Sequence, residues 1–112
     1  MLDPVVDRLE QYMDLLSTRQ QLVASNIANI DTPGYKSKDI DFQSEFMSLA
    51  KGEAPEVIDT PGLKTKNDGN NVSLDRETRM LSENSLRFNM AESLLRSRLL
   101  MSRTAIKEGA GS

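Results

Sequence analysis

Residues Val23 to Lys36 read V-A-S-N-I-A-N-I-D-T-P-G-Y-K, and this stretch joins the end of a long apolar-seamed helix to a hard stop. Pro33 disfavours helical geometry at Thr32. Thr32-Pro33-Gly34-Tyr35 fits a type II turn, with Pro in the second position and Gly supplying a positive φ in the third. Asn26 and Asn29 fall three residues apart in the last helical turn. An Asn there competes for backbone groups where a helix frays. Alternatively its amide bonds the turn or a neighbouring subunit, since it has donors and acceptors to spare. The residues alone leave these two readings level.

Upstream of the turn, Asp3 is a good N-cap, and Pro4 takes the first helical position, where its missing N–H costs nothing. An a/d seam then runs through Leu2, Val6, Leu9, Met13, Leu16, Gln20, Val23, Ile27 and Ile30, with spacings of four and three. Gln20 is its single polar member. A second stripe, Val5, Tyr12, Leu15 and Leu22, lies beside it. The spacing predicts a helix over 4–30, about 40 Å long. Helix and turn together form a first segment, residues 1–36.

Residues 37–72 form a polar middle segment. Asp39 or Asp41 is placed to cap a short helix over 42–50, with Phe42, Phe46 and Leu49 on one side. Lys51-Gly52-Glu53-Ala54-Pro55 is a breaker run. A short strand fits 56–59. Asp59-Thr60-Pro61-Gly62-Leu63-Lys64 echoes Asp31-Thr32-Pro33-Gly34-Tyr35-Lys36, which is one turn chemistry used twice. Asn67-Asp68-Gly69-Asn70-Asn71 is a further tight turn. The third segment, residues 73–112, opens at Ser73 as N-cap, with Asp75 and Glu77 where the helix dipole favours anions. This helix is expected to reach Lys107 or Glu108 and to stop at Gly109, about 50 Å in all.

The second helix also carries two apolar lines. Phe88, Ala91, Leu95, Leu99, Ser102 and Ile106 form one; Met90, Leu94, Met101 and Ala105 form another, about 100° round. An antiparallel pair of these helices buries one line on each. The predicted fold is therefore mainly α: long N- and C-terminal helices in an antiparallel coiled-coil hairpin, with a small irregular or β-containing middle. The second lines either meet other subunits or are covered by the middle segment. Leaving several Leu and Met side chains in water forfeits roughly 1.5–3 kcal/mol each, which favours partners.

Composition narrows the chemistry. In 112 residues there is no Cys and no His, so thiolate chemistry is excluded and the commonest general base and metal ligand are missing. Net charge is -3, which argues against a nucleic-acid footprint. No basic region followed by an apolar run opens the chain, so a cleaved signal peptide is not expected, and no stretch has the length of a membrane span. Asp39 and Asp41 form a carboxylate pair without a third ligand, so a helix cap is expected there rather than a metal site. The chain contains no Gly-rich phosphate loop, and nothing supports enzymatic activity.

The run Ser25 to Lys36 closely resembles the N-terminal signature of bacterial flagellar rod and hook proteins. With Lys38-Asp39-Ile40-Asp41-Phe42 it is most similar to proximal members of the flagellar basal body rod family. Asp68 to Glu77 is similar to the segment leading into the C-terminal helix of that family, and Asn84-Ser85-Leu86-Arg87-Phe88 continues the match. The family usually has Asp at the position of Ser73 and Tyr-Gln at Phe88-Asn89. Residues 43–67 carry no match, so nothing is transferred there.

The resemblance implies a non-enzymatic building block needed for motility. It would be exported through the flagellar type III apparatus without a cleaved signal. It would then assemble by helix packing into the periplasmic rod, the tube that transmits torque and carries export. Implied partners are other rod proteins, further copies of the chain, the small adapter FliE, the inner-membrane ring and the export gate. No cofactor, metal, nucleic acid or small-molecule substrate is implied. Assembly then falls to the signature residues Asn26, Ile27, Asn29, Asp31, Thr32, Pro33, Gly34 and Tyr35. Helix packing falls to Leu9, Met13, Leu16, Val23, Phe88, Leu95, Leu99 and Ile106. A soluble cytoplasmic coiled-coil adaptor or regulator is the alternative from another class. It would be strongly helical alone, whereas a rod subunit would be partly unordered until packing stabilises its helices.

Overall fold

A computed structural model describes residues 3–48 and 54–111. Leu2 and Leu49 of the apolar patterns and Lys51-Gly52-Glu53 of the breaker run lie outside the described residues. In chain order the elements are α1 (Pro4–Ala28), β1 (Lys38–Ile40), α2 (Phe42–Met47), β2 (Val57–Asp59) and α3 (Leu74–Gly111). They form an elongated body of 71 × 27 × 17 Å.

α1 starts as its sequence dictates. The Asp3 carboxylate accepts the Val5 N–H at 2.9 Å, and Pro4 follows as the first helical residue. It ends two residues before the predicted Ile30. The Asn29 amide donates back to the Ser25 carbonyl at 2.8 Å, and the chain tightens into turns from Ile30 N–H to Ile27 and from Thr32 N–H to Asn29. α3 starts with the Ser73 hydroxyl accepting the Arg76 N–H at 3.2 Å. It does not stop at Gly109 but continues to Gly111. Gly109 is not among the glycines with positive φ, so no left-handed cap breaks the helix there.

α1 and α3 pack antiparallel, and three polar contacts fix their register. Arg98 Nε donates to the Asp3 carboxylate at 2.6 Å. Asn84 Nδ2 donates to Gln20 Oε1 at 3.2 Å. Asn26 Nδ2 donates to Glu77 Oε1 at 3.1 Å. The polar residue in the α1 seam thus meets a buried polar residue of α3, a device that specifies register at some cost in stability. Because Arg98 lies opposite Asp3, residues 99–111 overhang the start of α1 by roughly 20 Å.

Leu15, Leu16, Val23, Ile40, Val72 and Ala91 form the buried apolar core. The second stripe of α1 is partly covered by the middle segment rather than left to partners. Tyr12 meets Phe42 and Phe46 edge to face, at centroid distances of 5.6 and 5.5 Å, and Leu15 is buried. On α3 the outcome is the opposite: Leu86, Met90, Leu94 and Met101 are all exposed. α2 ends at Met47, shorter than predicted, and is capped by Asp41.

β1 and β2 pair antiparallel, with Lys38 opposite Asp59 and Ile40 opposite Val57. The sequence pointed to the second strand but not the first. Two three-residue strands are marginal alone. They persist because Ile40 enters the core and the Thr60 N–H donates to the Ser37 carbonyl at 2.8 Å.

Candidate functional site

The signature turn is the lid of a buried polar knot that ties the end of α1 to the start of α3. Asn26 lies at its centre with no exposed surface. Its Nδ2 donates to the Lys38 carbonyl at 2.9 Å and to Glu77 Oε1 at 3.1 Å. Its Oδ1 accepts the Lys38 N–H at 2.9 Å and the Tyr35 hydroxyl at 3.0 Å. Both amide hydrogens and both lone-pair sites are used, the full capacity of an Asn side chain. This is neither a frayed helix end nor a free amide awaiting a neighbour.

Asn29 works one turn later. Besides closing onto Ser25, its Oδ1 accepts the Thr32 hydroxyl at 3.0 Å, which fixes the approach to the Pro33-Gly34 turn. That turn closes with the Tyr35 N–H on the Thr32 carbonyl at 3.2 Å, and Gly34 has φ +77°. Its tip rests on the second Gly turn: the Gly34 N–H donates to the Asp68 carbonyl at 2.9 Å. A Cβ at Gly69, where φ is +85°, would sit 3.2 Å from Gly34 Cα. The two turns touch backbone to backbone, and it is Gly69, whose Cβ would press on Gly34, that permits the approach.

From the other side, Asn70 is wholly buried and donates to the Asn29 and Thr32 carbonyls, each at 2.9 Å, while its Oδ1 accepts the Val72 N–H at 2.8 Å. Asn71 Oδ1 accepts the Ser37 N–H at 2.7 Å. These side chains stand in for the sheet and helix partners that this irregular backbone lacks.

The knot also holds four charges that balance. Arg19 grips Asp39 through two parallel hydrogen bonds of 3.0 Å. Arg76 bridges Asp39 and Glu77, reaching Glu77 Oε1 at 2.9 Å. Burial alone would raise the Asp39 carboxyl. The hydrogen bonds from Arg19, the Ile40 N–H and Arg76 outweigh burial and hold it below the usual carboxylate range. Glu77 has no exposed surface; Oε1 takes donors from Asn26, Ser37 and Arg76, while Oε2 has no partner among the described residues.

The predicted site residues thus separate. Asn26, Asn29 and Tyr35 bond into the knot, with Ile27 half-buried beside them, whereas Asp31, Thr32, Pro33 and Gly34 form its exposed tip. Leu16 and Val23 are buried, Met13, Phe88 and Leu95 are half-buried where α1 and α3 meet, and Leu9 is half-buried beside Tyr12 and Phe46. Leu99 and Ile106 lie on the overhang, 51% and 73% exposed.

Sequence reading missed Arg19, Ser37, Asp39, Asn70, Arg76 and Glu77 as members of one cluster. A signal for Glu77 was present. Extending the line of Phe88, Ala91 and Leu95 upstream passes through Asn84 and Glu77, two polar residues on a core-facing line. Asp39 is not a solvated helix cap, as the carboxylate pair suggested; only Asp41 caps. Among the described residues no group of three His, Cys, Asp or Glu side chains could hold a metal, and no helix is long and apolar enough to cross a membrane.

The pattern of the family described as flagella basal body rod protein matches residues 13–36, which are most of α1 and the signature turn. Over most of the chain there are relatives of the same kind. The flagellar basal body rod protein FlgB of Salmonella typhimurium is 30% identical, over 88% of this chain and 89% of its own. FlgB of Escherichia coli is 31% identical, over 84% and 86%. FlgB of Borrelia hermsii is 31% identical, over 76% and 82%. The chain belongs to the flagellar basal body rod protein family, alongside these FlgB relatives.

Proposed function

We propose that the chain is a structural subunit of the proximal rod in the bacterial flagellar basal body, a building block and not a catalyst. Its place is among the other rod components. One observation carries the reading beyond kinship. α3 leaves a line of large apolar side chains, Leu86, Met90, Leu94 and Met101, exposed on the side away from α1. Such a line is costly in water and is what a helix in a multi-subunit wall requires.

The signature residues and the helix-packing residues together build the wall element. The knot sets the angle at which α1 and α3 leave the turn, and the helices supply the faces that meet neighbours. The resemblance of Ser25 to Phe42 to proximal members supports a position at the base of the rod. Its neighbours there would be the adapter FliE, the inner-membrane ring and the export gate. It also supports delivery by the flagellar type III apparatus without a cleaved signal, and a role in carrying torque. An adaptor would act away from this structure. The deciding experiment is deletion with complementation, followed by isolation of basal bodies. A strain lacking the chain should build no complete rod and should not swim, and the restored chain should co-purify with basal bodies. Normal swimming and complete basal bodies in the deletion strain would overturn the assignment.

A further inference from the structure

On one side of the hairpin a groove of about 270 Å³ runs between α1 and α3, floored by Met13, Phe88 and Leu95 and rimmed by Glu10 and Asp14. It shares Ser17 and Phe88 with a neighbouring hollow of about 370 Å³ that extends to Gln20 and Asn84. Counted along α1 from Glu10 to Gln20, the trough is about 15 Å long.

The overhang of α3 carries an apolar line flanked by charges of the opposite sign. Leu99 and Ile106 continue the line of Leu95 past the end of α1 and stay exposed. Arg103 and Lys107 flank that line on one side by the 3.6-residue period. Glu10 and Asp14 are four residues apart, as are Arg103 and Lys107, so both pairs are spaced about 6 Å along their helices. None of these four charges makes an ion pair among the described residues. The overhang cannot reach its own groove, because α3 is one continuous helix whose earlier turns form the groove wall.

We propose that the overhang of one copy of this chain docks head to tail in the groove of a second copy. Leu99 and Ile106 lie on Met13, Phe88 and Leu95, and Arg103 and Lys107 pair with Glu10 and Asp14. The contact is heterologous, so it links copies in series, around a ring or along a helix according to the rotation between them. It rests on the reading of the chain as a rod subunit and names the partner as the chain itself.

The chain has no Cys, so a cross-link can be placed cleanly. Asp14→Cys and Arg103→Cys chains are co-expressed in the deletion strain, and isolated basal bodies are oxidised. The expected product is a disulfide-linked dimer of the two chains. Absence of that dimer, or a cross-link to a different protein, overturns the proposal. The charge test is independent. Glu10→Lys with Asp14→Lys, or Arg103→Glu with Lys107→Glu, should each cut incorporation by about tenfold, the equivalent of about 1.4 kcal/mol. All four changes together should restore it. If the fourfold variant incorporates no better than either double, the docking is wrong while the rod assignment stands. Complete basal bodies in the deletion strain would instead remove the rod assignment itself.

Discussion

Asn26 of α1 and Glu77 of α3, 51 positions apart in sequence, meet through a 3.1 Å hydrogen bond, and neither has any exposed surface. The bond fixes the two long helices to each other at the end where the chain turns. Removing Asn26 should therefore cost far more than a surface Asn would. Asn26→Ala leaves the Lys38 N–H and carbonyl, the Tyr35 hydroxyl and Glu77 short of partners, with an expected loss of about 3 kcal/mol or more. Asn26→Asp keeps the shape but aims an acceptor at the Lys38 carbonyl and Glu77, so it should lose about as much. The urea midpoint followed by circular dichroism measures both. A midpoint unchanged by Asn26→Asp would mean that shape, not hydrogen bonding, is what the site requires.

The two touching glycines make a graded prediction. Gly34 has open space where a Cβ would go, so Gly34→Ala suffers only the backbone strain of positive φ, about 1–2 kcal/mol. Gly34→Val adds β-branching and should impair assembly as well as stability. Gly69→Ala has the same strain and also drives its methyl to 3.2 Å from Gly34 backbone. It should be the more destabilising of the two Ala variants. Equal urea midpoints for Gly34→Ala and Gly69→Ala would show that the turns separate freely.

Much of this fold could be read from residue spacing, because spacing reports faces and stops. The Asp3-Pro4 start, the seam through Leu9, Met13, Leu16 and Val23, the Pro33-Gly34 turn and the Ser73 start were all local signals. The knot was not, because its partners are far apart in sequence. Asp39 looked like a cap since a carboxylate before an apolar run usually is one; its two guanidiniums come from 20 and 37 positions away. β1 was missed because three residues carry too little alternation to register. The length of α3 beyond its partner followed only from the register, which Asp3 and Arg98 set through a contact 95 positions apart.

The acid limb of stability should be governed in part by Asp39. Its carboxyl is held below the value of 3.8 that it has in an unfolded chain. The unfolded state therefore binds the proton more readily, and the folded state loses stability as pH falls. The contribution is fully present above about pH 5 and is lost as pH drops through the folded value. The groups facing it are Arg19 and Arg76, with Glu77 on the far side of Arg76. Asp39→Asn should cost about 2 kcal/mol or more at neutral pH, because two guanidiniums are left around a neutral amide. It should also flatten the fall in urea midpoint between about pH 5 and pH 3. An acid limb as steep in Asp39→Asn as in the parent would place the titrating group elsewhere.

The two apolar lines of α3 should fail in different assays when each receives a charge. Leu95 is half-buried in the α1–α3 contact, so Leu95→Asp puts an unpaired carboxylate against Met13 and Phe88. It should lower the urea midpoint of the purified chain and prevent rod incorporation together. Met90 is 58% exposed and faces away from α1, so Met90→Asp should leave the purified chain within about 0.5 kcal/mol of the parent. Its incorporation into basal bodies should nevertheless fall, because the proposed neighbour contact along this line would desolvate the charge. The pairing of results separates fold from assembly. Met90→Asp that incorporates like the parent would mean that this line stays in water in the finished rod, and that the wall is built on another face of α3.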